Sequence, residues 1–425
     1  MLHGAPSALL FRCVQKILSL LIFFGLLATA TGYAENYDPV AVYLTWQRSP
    51  ESTITIRWIS QPDRQDDLIE YQREADGAWR TATGTHSAMP ENIPYLIHSV
   101  ELTNLFPNTN YLFRTGPDAK SYKFKTMPAI LESPISFVAG GDMYHDGIDI
   151  LHKTNRQAAK TAPLFALVGG DIAYAADRKA SIFPQWAQTW INKFVEQKAE
   201  RWLEWLIAWK EDMVTPDGRL IPLLPVIGNH DVTGYFGQTP AQAPFFYSLF
   251  AMPGPQGYNV LDFGNYMSIV LLDSGHTHPV MGQQAQWLTH ILAERKDIPH
   301  KFALYHVPAY PSVRSFQNKI CAQIRQAWVP AFEQSHLTAA FENHDHAYKR
   351  TFPLLNGRSV PKGVVYVGDG AWGVAKPRKP KLSAKRGYLA YAAAKQHFIH
   401  VTVEPDKRSI KAISSNGELI DEYSW

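Results

Sequence analysis

The sequence predicts an α/β domain preceded by a small all-β sandwich. Three observations carry this. Between Tyr37 and Met127 the chain breaks into short β-branched or aromatic runs separated by turn residues. At Met127–Pro134 a proline-punctuated junction interrupts that texture, and beyond it strand-like runs alternate with longer segments of helical pattern. Finally, in this second part, apolar runs of strand length repeatedly stop at glycine, aspartate, asparagine or histidine.

The chain begins with Arg12 and Lys16, no acid before Glu35, an apolar run from Ile17 to Ala30, and Gly32-Tyr33-Ala34. These are the three zones of a secretory signal peptide over residues 1–34, and the apolar run is shorter than the roughly 20 residues of a spanning helix. Cleavage would leave no stable membrane span and take the formal net charge from +3 to +1. A nearly neutral remainder has no general bias toward nucleic acid. Of the two cysteines, Cys13 lies in the leader, so the mature chain keeps Cys321 alone and cannot form an internal disulfide. No Asn-x-Ser/Thr acceptor occurs, and the combination reads as a secreted or periplasmic protein.

Residues 37–127 offer strand-like runs at Val40–Trp46, Thr53–Trp58, Leu68–Gln72, Ile97–Leu102, Tyr111–Thr115 and Tyr122–Thr126. Thr53–Trp58 alternates with period two, which predicts one buried face. The segment is similar to a fibronectin type III domain, and Leu105-x-Pro107-x-Thr109-x-Tyr111 resembles that fold's corner. It carries no evident chemistry, and its expected role is to pack against the larger domain over residues 132–425.

In the larger domain Ile135–Gly141 leads to Asp142, and Leu164–Gly170 to Asp171 and Tyr174. Leu223–Gly228 leads to Asn229, His230 and Asp231, and Phe302–Tyr305 to His306. Leu337–Phe341 leads to Asn343, His344, Asp345 and His346, and Val364–Val367 to Gly368-Asp369-Gly370. Singly, such residues after a strand are turn formers or helix caps. As an ordered set they outline oxygen and nitrogen ligands converging on one metal centre.

These blocks resemble the motifs of the purple acid phosphatases, within the calcineurin-like metallophosphoesterases. Tyr144 stands two after Asp142 where other members of the superfamily have histidine, and Tyr174 closes the Gly-Asp-x-x block as the purple subclass does. The resemblance implies a sandwich of two mixed β-sheets flanked by helices, with an N-terminal domain as in plant-type members. It implies one metal on Asp142, Asp171, Tyr174 and His346, and a second on the bridging Asp171 with Asn229, His306 and His344. A phenolate suits Fe(III) in the first site; the second suits Zn(II), Fe(II) or Mn(II). The implied reaction is hydrolysis of small phosphate monoesters, with hydroxide held by the two metals attacking phosphorus in line. His230 is then the general acid or transition-state stabiliser, or else a residue that orients Asn229.

Two positions depart from the family pattern. Asn343 replaces a glycine, a change expected to be mild because asparagine tolerates left-handed backbone, and Tyr144-His145 crowds the loop after Asp142. A ligand role for His145 is disfavoured, the sphere being already filled. Past His306 the family's substrate-facing histidines are missing, leaving Tyr310 and Arg314 as candidates to meet phosphate.

Trp186 and Trp190, and Trp202, Trp205 and Trp209, are spaced to share helix faces, which predicts helix packing, with Glu196, Lys198, Glu200, Arg201, Glu204 and Lys210 forming a solvated face. Lys376, Arg378, Lys379, Lys381, Lys385 and Arg386 sit among prolines, predicting an irregular basic loop beside the metal rim. From His397 onward short β-like runs return. A phosphodiesterase on the same cluster, or a non-catalytic binding protein, are the competing readings, and oligomeric state is not legible.

Overall fold

The computed structural model describes residues 37–75, 77–176, 197–254, 257–381 and 386–425. The expected leader, Trp186, Trp190, Glu196 and Lys385 lie outside these residues.

The N-terminal part contains strands β1 (Ala41–Thr45), β2 (Ile54–Ser60), β3 (Leu68–Arg73), β4 (Arg80–Thr83), β5 (Thr85–Ala88), β6 (Leu96–Leu102), β7 (Asn110–Arg114) and β8 (Tyr122–Lys125). They form two four-stranded sheets, in the orders β1-β2-β6-β5 and β4-β3-β7-β8. Every pairing is antiparallel. The corner motif is present: the Tyr111 hydroxyl accepts the Phe106 N–H at 2.9 Å.

One expectation fails in this domain. β2 is buried on both faces, not one, because its sheet is covered twice. Val42 and Leu44 on β1 pack in one core cluster with the sandwich residues Ile56, Trp58 and Phe113, whereas Ala41 and Tyr43 belong to another with Trp202, Trp205 and Phe250 of the larger domain. The Tyr43 hydroxyl donates to the Leu249 carbonyl at 2.6 Å. The small domain is therefore packed sheet-first against its neighbour.

The larger domain is built on two mixed sheets. The first contains β9 (Ile135–Gly140), β10 (Ala166–Val168), β11 (Leu223–Pro225), β21 (His397–Val403), β22 (Arg408–Ser414) and β23 (Leu419–Ser424), in the order β11-β10-β9-β21-β22-β23. The second contains β12 (Asn259–Phe263), β13 (Met267–Leu271), β14 (His300–Leu304), β15 (Ala339–Glu342), β16 (Tyr348–Thr351), β19 (Val365–Gly368) and β20 (Leu389–Ala393), in the order β12-β13-β14-β15-β19-β16-β20. A short hairpin, β17 (Leu354–Leu355) with β18 (Arg358–Ser359), stands apart.

β9, β10 and β11 are parallel, as are β13, β14, β15 and β19. Phe137 of the first sheet, Phe165 just before β10, and Phe302 and Phe341 of the second sheet interlock between the layers, with ring centroids 4.8–5.9 Å apart. Each sheet thus presents the carboxyl ends of its parallel strands, where the polar blocks begin.

The helix Ala199–Asp212 buries Trp202, Trp205 and Trp209, as their spacing predicts. Its polar side is not simply solvated. Arg201 lies 3.8 Å from the Tyr144 ring centroid, Glu204 accepts the Tyr144 hydroxyl at 2.7 Å, and Lys210 donates to the Pro39 carbonyl at 2.8 Å. Tyr144 is accordingly drawn toward this helix and helps fasten the loop after Asp142.

Candidate metal centre

All seven side chains expected as ligands meet where the two sheets' parallel strands end. Asp142 follows β9, Asp171 and Tyr174 follow β10, and Asn229 follows β11; His306 follows β14, and His344 and His346 follow β15. Asp142 Oδ1 accepts the Tyr174 hydroxyl at 2.8 Å and lies 2.8 Å from His346 Nε2; Tyr174 Oη and His346 Nε2 are 3.1 Å apart. His306 Nε2 lies 3.3 Å from Asp171 Oδ2, 3.2 Å from Asn229 Oδ1 and 3.1 Å from His344 Nδ1. The first group holds three of the four side chains expected in the first set, and Asp171 stands with the second group, against His306.

The cluster is preorganised. His306 Nδ1 faces the Gly169 carbonyl at 2.9 Å, so that nitrogen carries the proton and Nε2 offers its lone pair inward. Asp142 Oδ2 accepts the His344 N–H at 2.8 Å, and Asp171 Oδ1 accepts the His230 N–H at 2.6 Å. Two glycines are required by close approach: a Cβ on Gly370 would stand 1.8 Å from Asp142 Oδ2, and one on Gly228 would stand 2.4 Å from Asp171 Oδ1.

Fit to a cation is testable on the residues themselves. Asp171 Oδ2 is buried without a well-formed hydrogen bond, its nearest donor being His306 Nε2 at 3.3 Å. Burial opposes charge on His306, yet Asp171 and Asp142 lift it to about 9, the mark of a pocket that seeks positive charge. Burial and the same carboxylates push the Tyr174 phenol well above its ordinary range. Without a cation it stays protonated and donates to Asp142. The oxygen and imidazole donors suit a first-row transition metal in each set.

Asn343 is tolerated for a different reason than expected. It does not take positive φ; His344 does, at 75°. Its amide instead occupies the room above Gly169 and Gly141, where Cβ atoms would come within 2.0 and 2.7 Å of it, and it donates to the Tyr305 carbonyl at 3.0 Å. His145 packs edge-on against Tyr174 and His346 and lies 3.0 Å from Asp146.

A cleft of about 790 Å³ opens beside Asn229, His230 and His344. The His230 ring stacks on Tyr174 with centroids 4.6 Å apart. Arg314 also lines the cleft, its Nη1 donating to Asp345 Oδ1 at 2.9 Å and to the His344 carbonyl. Tyr310 does not reach the cleft. Its ring is 3% exposed and packs among Tyr366, Tyr388 and Phe316, which removes it as a phosphate contact.

The basic segment does run along the rim: the Arg378 N–H donates to the His346 carbonyl at 2.8 Å and the Lys381 N–H to the Ser312 carbonyl at 2.8 Å. Arg386 departs from the pattern, being buried against the carbonyls of Pro311 and Arg314 at 3.0 and 2.5 Å.

Sequence reasoning assigned no role to Asp231 or Asp345. Asp231 accepts the N–H groups of Ile172 and Gly228 at 2.8 and 2.9 Å, bracing two ligand loops, and burial with the nearby Asp171 charge pushes it up to about 8. Asp345 accepts the Val313 N–H at 2.6 Å and fixes the segment carrying Arg314. Their places inside Asn-His-Asp and His-Asp-His runs were the available signal. The far cleft wall, including Phe236 and Met281 in loops and Lys319 at the start of a helix, carries no such signal.

Residues 39–126 match the model of the purple acid phosphatase N-terminal domain, and residues 135–348 match the calcineurin-like phosphoesterase model. Purple acid phosphatase 22 of Arabidopsis thaliana is 23% identical over 78% of this chain and 72% of its own length. Purple acid phosphatase 15 of the same plant is 25% identical over 65% of the chain, which spans about half (53%) of that relative. The solved purple acid phosphatase PPD1 of yellow lupin shares the fold with a TM-score of 0.71 at 17% identity, covering 91% of this chain and 74% of its own.

Proposed function

Because the chain belongs to the calcineurin-like phosphoesterase family, with the N-terminal domain of the purple acid phosphatases, we propose that it hydrolyses small phosphate monoesters at a binuclear centre holding Fe(III) beside Zn(II), Fe(II) or Mn(II). The observation that carries the reading is the gathering of Asp171, His306 and His344, with Asp171 Oδ2 buried and lacking a well-formed hydrogen bond, alongside a second group made by Asp142, Tyr174 and His346. Asp142, Tyr174 and His346 would hold the ferric ion, and Asn229, His306 and His344 the second ion, with Asp171 between them. When bound, two such cations supply Lewis acidity toward a phosphoryl oxygen and lower the pKa of water.

The chain's own residues supply the rest. His230 faces the cleft beside Tyr174 and is the proposed proton donor to the leaving oxygen. Arg314 keeps Nε and Nη2 outside its bonds to Asp345 and His344, and these are the proposed contacts to phosphate. The exposed Lys376, Lys379 and Lys381 stand on the rim, where they attract anionic substrate. The leader-like segment at residues 1–34 supports export to the periplasm or medium.

The test is metal analysis of the purified protein together with turnover of p-nitrophenyl phosphate and bis(p-nitrophenyl) phosphate. Two metals per chain including iron, and faster monoester turnover, are expected. Preference for the diester would replace the monoesterase reading with a phosphodiesterase on the same cluster. Unaltered turnover after complete metal removal would overturn both.

A further inference from the structure

A second cluster of donors lies in the N-terminal sandwich. His86 on β5 and His98 on β6 are directly paired across the two strands, so both imidazoles emerge on one face. Asp67, just before β3, reaches both: Oδ2 is 2.8 Å from His86 Nδ1 and Oδ1 is 2.6 Å from His98 Nδ1. One ligand atom from each residue falls within 4.8 Å of the others. We propose that Asp67, His86 and His98 form a zinc site that ties the two sheets of the sandwich together, independent of the proposed catalytic centre.

His98 is held as a metal-binding histidine needs to be. Its ring stacks on Trp58, 4.5 Å between centroids and 4° from parallel, and its Nε2 lies 2.7 Å from Ser60 Oγ. Ser60 has a single hydroxyl hydrogen and two carbonyl acceptors, Gln61 at 3.0 Å and Arg64 at 3.1 Å. When it donates to either, Ser60 Oγ accepts the Nε2–H of His98, and Nδ1 is left with a lone pair facing a carboxylate. Two lone pairs at that distance repel, so this arrangement calls for a positive charge between them, either a metal ion or the second proton of an imidazolium. In the competing arrangement Nδ1–H donates to Asp67 and Ser60 donates to Nε2, and the cluster is a hydrogen-bonded network without metal.

Two imidazoles and a carboxylate are a donor set suited to Zn(II), with water in the fourth position. Zinc bonds of about 2.0–2.1 Å put tetrahedral ligands about 3.3 Å apart, so Asp67 and His86 must separate by about half an ångström and Asp67 must withdraw from His98 by about 0.7 Å. They can, because the side chains of Asp67 and His86 are 15% and 31% exposed whereas that of His98 is fully enclosed.

The site would also sit at an exposed edge of the sandwich. Asp67 adjoins the β4-β3-β7-β8 sheet while both histidines belong to the β1-β2-β6-β5 sheet. β5 is an edge strand with all four residues exposed, and no disulfide braces the described residues. Metal ligation across the gap supplies what a small domain otherwise draws from disulfides.

The experiment equilibrates the full chain with Zn(II), removes the excess and counts zinc per chain, for wild type, His86→Ala and Asp67→Asn. Wild type is expected to hold one equivalent more than either variant, the variants binding it at least tenfold more weakly at unchanged phosphatase activity. Zinc should also slow amide exchange across β5 in wild type and not in His86→Ala. Equal zinc content in wild type and both variants overturns the proposal and leaves the hydrogen-bonded network. So does an extra equivalent that survives both substitutions.

Discussion

Lys349→Met is the most searching test of how the metal-bearing loops are supported. Lys349, on β16, is fully buried, pairs with the equally buried Glu342 at the end of β15, donates to the Tyr310 carbonyl at 2.5 Å and lies 3.7 Å from Asp369 Oδ1. Burial pushes the Asp369 carboxyl well up, and its Oδ1 stands 3.7 Å off, so Glu342 is the direct ion-pair partner of Lys349. Methionine keeps the chain's bulk but strands Glu342. Breaking a buried pair by removing one partner costs about 3–5 kcal/mol. Here Glu342 Oε1 keeps the Tyr305 hydroxyl at 2.5 Å and the Ala309 N–H at 2.7 Å, which places the loss at the lower end, about 3 kcal/mol. With a urea slope of about 3 kcal/mol/M, the midpoint should fall by roughly 1 M. Adding Glu342→Gln should restore most of the loss, since an amide needs no counter-ion. Metal occupancy should fall in the single variant, because His344 and His346 lie between the two partners in sequence. A loss under about 1 kcal/mol, or a double variant no more stable than the single, would refute the reasoning.

Three further outcomes concern the centre directly. Tyr174→Phe should abolish a visible tyrosinate-to-iron band while the fold persists, since Asp142 Oδ1 keeps His346 within 2.8 Å; a colourless wild type with full iron content would defeat the ferric assignment. His230→Ala should slow alkyl phosphates by about 10²–10⁴-fold and p-nitrophenyl phosphate far less, the signature of a lost general acid; equal losses at intact metal content would assign His230 to orienting Asn229. Neutralising Lys376, Lys379 and Lys381 together should raise KM for a polyphosphorylated substrate and spare a simple monoester. That effect should fade with salt, which screens over about 10 Å at 0.1 M; equal responses of both substrates would remove the steering role.

The strands that carry ligands were legible because each is an apolar run cut off by a change of chemistry, and a parallel strand must deliver its next residues to the same rim. β4 and β5 were missed for the opposite reason: Arg80–Thr83 and Thr85–Ala88 contain no large apolar residue and lie mostly exposed, so no periodic pattern marks them. Period-two reading failed at β2 because Thr55 and Arg57 look outward-facing in sequence yet are covered by another part of the chain. Tyr310 was misread because a tyrosine near a ligand is equally a core residue, and only packing against Tyr366 and Tyr388 decides between them. Arg386 likewise reads as one more surface cation until its carbonyl partners appear.

What no pattern of residue types could disclose is where the backbone is strained. Asp142, Asp171, Tyr174, His344 and His346 all have positive φ, between 50° and 75°. Outside glycine this conformation costs about 1–2 kcal/mol per residue, and aspartate and histidine bear it better than tyrosine. Five of the seven expected ligands share it because each must turn abruptly out of a strand to aim its side chain back at the rim. The surrounding lattice holds them there: Asp231 bonds to the Ile172 N–H beside Asp171, and the Asp142 carboxylate bonds to the His344 N–H. Such over-determination is how strain persists at functional sites. It follows that a cation binding this centre meets ligand backbones already braced by these hydrogen bonds.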